Sequence, residues 1–166
     1  MEKIMIMNWI LIFQSLLNQN INDISVKGVL FKRIDENTYS VESDETKYVQ
    51  NLPFGIVYIS TNAKGIIEII NLNLFGIPES DFFDELNSNF GKPTRIQVVD
   101  EIMLLSESYN TGENTITSHT KQTYIKTKDG CLEDKPIYVL WQTSKEEVVL
   151  LIKREEEMSQ LKFKVL

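Results

Sequence analysis

The chain has one cysteine, Cys131, and one histidine, His119, among its 166 residues. A single cysteine closes no intrachain disulfide, and without a C-x-x-C pair or a Cys/His cluster there is no ligand set for structural zinc. A single histidine means that any histidine-dependent catalysis must run through His119. Alanine is just as scarce, with Ala63 alone. Losing the best helix former while gaining Ile and other β-branched residues tilts the chain toward strands. The Ile-, Asn- and Lys-rich usage is that of an AT-rich bacterial genome.

Basic residues are also short, 17 Lys and Arg against 24 Asp and Glu, for a net charge of −7 and a pI near 4.8. A nucleic-acid binder needs a basic face to displace counterions, so that class is excluded. The same balance favours solubility and steers a basic protein partner toward the chain.

No apolar run is long enough to cross a membrane. The most apolar stretch, residues 4–17, is interrupted by Asn8, Gln14 and Ser15 and falls short of the ~20 residues a spanning helix needs. Within it Ile6, Trp9, Ile10, Phe13, Leu16 and Leu17 recur at helical spacing, which predicts an amphipathic core helix. Glu2 offsets Lys3 and no small-x-small cleavage pattern follows, so the expectation is a cytoplasmic protein. The alternative is a periplasmic or exported one in which residues 1–20 are a degenerate signal peptide.

What is present reads as one α+β domain over residues 1–166: a largely antiparallel sheet of about seven to nine strands, an N-terminal helix and one central helix. Residues 24–34 and 38–43 flank an Asp35-Glu36-Asn37 turn, and 54–61 and 65–75 form a second strand pair. Residues 95–105, 120–128, 136–143, 148–154 and 160–166 read as a meander with marked turns. In the last of these Leu161, Phe163 and Val165 alternate with Lys162 and Lys164.

The central helix begins near Pro78 and Ser80 among acidic residues, and places Phe82, Phe83, Leu86 and Phe90 on one face. It stops at Gly91-Lys92-Pro93-Thr94, with Gly91 as the left-handed residue that commonly ends a helix and Pro93 forbidding continuation. This tetrapeptide is not a phosphate loop. Such a loop precedes its helix and needs a glycine five positions before Gly91, where Leu86 stands. A short helix ending in G-K-P-T and followed by a strand bearing Trp141 resembles a pattern in small bacterial α+β proteins, among them uncharacterised lipoproteins and immunity-type proteins that neutralise toxins. The resemblance covers the last half of the chain and bears on fold more than activity. The lipoprotein version wants a cysteine near the N-terminus, which this chain lacks.

No catalytic, metal or cofactor motif is found. Neither Glu42, Asp44 and Glu45 nor Glu79, Asp81, Asp84 and Glu85 has calcium-loop spacing. The acidic neighbours of Cys131 raise its thiol pKa, which fits a buried or incidental thiol. Trp9, Trp141, Tyr58, Tyr124 and Tyr138 are core candidates, although one face of residues 123–128 or 137–143 would also serve as an exposed binding surface. The polar stretch 106–119 has no periodicity and reads as a mobile hairpin loop, with Tyr109 as an isolated aromatic of the recognition-loop kind.

The expectation is therefore a non-enzymatic protein-binding protein, of immunity or inhibitor type, that uses Glu107, Tyr109, Asn110, Glu113 and His119 on a basic partner such as a toxin. No cofactor is expected, and oligomeric state is not legible. Two other classes remain open. One is a carrier of small hydrophobic ligands or lipids, with a pocket lined by Phe82, Phe83 or Phe90. The other is a hydrolase using paired carboxylates or Cys131 with His119.

Overall fold

The computed structural model describes residues 8–43, 48–112 and 115–166, with the backbone alone for 110–112 and 115–117. Among these are two helices, α1 (Trp9–Leu16) and α2 (Ser80–Phe90). Ten strands are described: β1 (Val29–Arg33), β2 (Thr38–Ser43), β3 (Tyr48–Val49), β4 (Leu52–Thr61), β5 (Ile67–Phe75), β6 (Arg95–Gly112), β7 (Thr115–Asp129), β8 (Tyr138–Gln142), β9 (Glu146–Lys153) and β10 (Met158–Val165). The count exceeds the expected seven to nine because Tyr48–Val49, inside a stretch that reads as polar linker, makes a two-residue pairing with Pro53 and Leu52.

All pairings are antiparallel, in the order β1-β2-β4-β5-β10-β9-β8-β6-β7, with β3 beside β4. The C-terminal half is not a simple meander. After the β6–β7 hairpin the chain returns to place β8 on the far side of β6, leaving β7 as an edge.

Strand alternation puts one row of side chains on each face. On one face Val41, Val57, Leu72, Leu161, Leu150, Val139 and Ile96 lie side by side across seven strands, and all but half-buried Ile96 are buried. The next row, Ser40, Tyr58, Asn71, Lys162, Val149, Leu140 and Arg95, points the other way. Both helices cover the apolar face, because Phe163 of β10 meets Phe13 of α1 and Phe90 of α2, each at a ring separation of 6.1 Å.

The helix at the N-terminus follows the sequence reading. Asn8 caps it by accepting from the Leu11 amide, and Trp9, Ile10, Phe13 and Leu16 are buried. Ile6 lies outside the described residues. In α2 the N-cap is Glu79, which makes no side-chain capping bond, and Phe82, Phe83, Leu86 and Phe90 are all buried. Gly91 ends the helix at φ 80° and ψ −163°, a positive-φ extended conformation essentially confined to glycine. The Thr94 amide then donates to Leu140 O at 2.7 Å, and the Thr94 hydroxyl oxygen accepts from the Gln142 amide. Trp141 is buried and its indole N–H donates to Asn87 of α2 at 2.9 Å. Helix stop and tryptophan thus lock α2 to β8, the strand against which β6 begins.

Candidate protein-docking arm

Only the first three residues of β6, Arg95 to Gln97, pair with β8. The remaining 15 residues pair with β7 alone, and at about 3.3 Å per residue the two strands form an arm roughly 50 Å long. Every residue from Glu101 to Tyr109 and from Ser118 to Lys126 is exposed. The expected loop over 106–119 is therefore a strand pair that continues to Gly112 and Thr115. Its described residues, 106–109 and 118–119, show no apolar alternation, and neither face of them is covered. The readable signal was β-propensity, since Ile116, Tyr124 and threonines 115, 117, 120 and 123 all favour strands.

At the root, Val98 is buried against Gly130, where an added Cβ would lie 2.6 Å from a Val98 methyl. Beside it the Gly130 amide donates to Ile96 O and the Ile137 amide to Gln97 O. Asp100 sits in a β-bulge with Lys128 and Lys126 at 3.2 and 3.5 Å. The hydrogen bond from Lys128, with the charge of both lysines, holds its carboxyl below the usual range.

The neck is apolar on both sides. Register places Ile102, Leu104 and Ile125 on one face and Met103 and Tyr124 on the other, while Leu105 occupies a second bulge. Ile102 is 56% exposed and Leu105 65%. Exposed apolar residues scattered singly mean little, but this is a contiguous group on a ribbon with no layer above or below it.

The tip carries the predicted site residues, and three of the five meet. Tyr109 and His119 are opposite each other in the ladder, their rings stacked at 4.4 Å and 2°. The Tyr109 hydroxyl donates to Glu107 Oε1 at 2.9 Å, and His119 Nε2 lies 2.7 Å from the same oxygen. An ionised carboxylate only accepts, so the imidazole nitrogen is the donor. The Tyr109 hydrogen bond first, then that of His119, holds the Glu107 carboxyl below its ordinary value. The same bond raises the Tyr109 phenol, because ionising it would set two negative charges together. Asn110 pairs with Ser118 through the backbone, and Glu113 lies outside the described residues.

The other expected chemistry does not assemble. The Cys131 thiol donates to Asp134 at 3.0 Å, which raises its pKa, and Cys131 is exposed rather than buried. His119 stands ten residues up β7 from Asp129, roughly 33 Å of strand away, so no Cys/His dyad forms. Phe82, Phe83 and Phe90 are buried in the core, and of the three only Phe83 borders a cleft. The cleft that Phe83 borders, about 270 Å³, is open and shared with Glu79, Asp84, Glu133 and Arg154. Of the aromatics, Trp9 and Trp141 are core, whereas Tyr58 and Tyr124 are exposed. Among the described residues no helix is long and apolar enough to cross a membrane.

No protein-family model, curated protein or solved structure matches the chain.

Proposed function

We propose that this chain is a non-enzymatic protein-binding protein and that the β6–β7 arm is what docks. The observation that carries this reading is the neck. A two-stranded ribbon is marginally stable by itself in water, and here it also holds Ile102, Met103, Leu104, Leu105, Tyr124 and Ile125 exposed. A bound partner that covers them removes both costs at once. The Glu107–Tyr109–His119 cluster fixes two flat rings beyond that apolar patch, a pre-ordered aromatic contact whose entropy is already lost before binding.

Charge divides the work. Four carboxylates and three lysines leave residues 100–128 at −1, so −6 of the total of −7 lies on the rest of the chain. Asp100 and Glu107 are already engaged by neighbours in the arm. A basic partner is thus steered by the body and gripped by the arm, which fits an immunity or inhibitor role against a basic toxin. Raising ionic strength slows association and leaves dissociation nearly unchanged.

The test is complex formation with the products of the genes that flank its own, followed by biosensor kinetics at low and high salt. The double variant Leu104→Ser with Leu105→Ser is expected to speed dissociation at least tenfold. Failure of the intact protein to bind at either salt removes the immunity reading. Binding that the double variant leaves unchanged moves docking off the arm.

A further inference from the structure

We propose that two copies of this chain pair antiparallel along the free edge of β7, about a twofold axis at Tyr124, so that two arms become one four-stranded sheet. This goes beyond the docking reading and does not rest on it, since edge pairing runs through backbone groups; the two readings share the side chains of Tyr124 and His119.

The arm has two free edges, and they differ. The β6 edge is broken by bulges at Asp100 and Leu105, whereas β7 keeps an uninterrupted register from Ser118 to Asp129 without a proline. Bulges, prolines and lysines are the usual devices that stop an edge from pairing; β7 lacks the first two over this stretch and carries Lys121, Lys126 and Lys128. A regular row of unpaired N–H and C=O groups about twelve residues long is a template for another strand. Two strands are too few for a self-sufficient sheet, and four meet that requirement.

The sequence of β7 identifies the partner as a second copy. Antiparallel neighbours share a face, so the paired residue numbers must sum to an even value. With the axis at Tyr124, the ladder spans 119–129, within the unbulged stretch. His119 then faces Asp129 of the second copy, Thr120 faces Lys128, Lys121 faces Thr127, Gln122 faces Lys126, and Thr123 faces Ile125. Tyr124 meets its own equivalent. Aromatic, threonine–β-branched and acid–base pairs are the cross-strand combinations that stabilise a sheet. Lys121 and Lys126 bracket this register, because an axis at either would set two ammonium groups face to face.

Sedimentation of the full chain at micromolar concentration is expected to give a dimer, and Tyr124→Lys a monomer with an unchanged far-UV spectrum and an unfolding midpoint that no longer depends on protein concentration. In a Cys131→Ser background, Tyr124→Cys is expected to form a disulfide-linked dimer under mild oxidation at least fivefold faster than Thr120→Cys. Three results overturn the proposal: a monomer at every concentration, an open-ended aggregate, or a dimer that Tyr124→Lys leaves intact. Equal crosslinking at the two positions overturns the register and with it the assignment of the axis.

Discussion

The body of the sheet and its arm are made from the same kinds of residue, and only one of them has an inside. In β10, Leu161 and Phe163 alternate with Lys162 and Lys164, and the apolar pair is fully buried beneath the helices. In the arm, Ile102 and Leu104 alternate with Met103 in the same way, yet both rows face water. Alternation gives burial only where another layer exists to receive one face. The difference teaches that the stability of this molecule resides in the body, and that the arm adds surface while adding little to the core.

The largest test of that contrast is truncation on each side of it. Phe163→Ala removes a ring that both helices pack against, and should cost about 3–5 kcal/mol in denaturant unfolding. Leu105→Ala, in the exposed bulge, should change stability by less than about 0.5 kcal/mol. A comparable loss at both positions would break the comparison. Amide hydrogen exchange sharpens it further. The β5 and β10 amides are expected to exchange only through global opening, and those of residues 101–109 and 118–126 orders of magnitude faster through local opening.

At the junction, Gly130→Ala drives a methyl into Val98 and should destabilise by about 1–3 kcal/mol, with chemical-shift changes concentrated at the arm root. The smallest effect is at the tip. Glu107 has a depressed pKa, so its bonds hold above the ordinary glutamate range and are lost as pH falls through the depressed value. Tyr109 has a raised pKa, so its bond holds below the ordinary tyrosine range and is lost as pH rises through the raised value. NMR titration should show Tyr109 ionising above the ordinary tyrosine range, and Glu107→Gln should bring it back toward that range; an unmoved midpoint would mean that the bond is absent in solution.

The body was legible wherever a local pattern carried the information. Trp9, Ile10, Phe13 and Leu16 mark the buried face of α1, and β2 matches its expected bounds of 38–43. In the arm the strands over 95–105 and 120–128 were legible, and their continuation through 106–119 showed only in composition. Periodicity detects strands that have a wet face and a dry one, and residues 106–109 and 118–119 are exposed on both faces. Of Glu107, Tyr109, Asn110, Glu113 and His119, the first two and the last come together on a strand pair where a loop was expected, because an isolated aromatic among polar residues reads as a loop. The apolar neck was missed for the opposite reason, since Ile102 to Leu105 read as ordinary core strand. The placement of β8 beside β6 depends on contacts distant in sequence, such as Trp141 with Asn87, and no local signal encodes it.

The three-pair ladder between Arg95–Gln97 and Tyr138–Leu140 has a mechanical meaning. The arm is a cantilever about 50 Å long on a footing of roughly 10 Å, so a sideways force at Tyr109 reaches its base multiplied several-fold. Whatever tugs on the far end therefore strains the fastening of β8 to α2 before it disturbs the middle of the sheet, and the stiffness of the whole beam is set at its clamp.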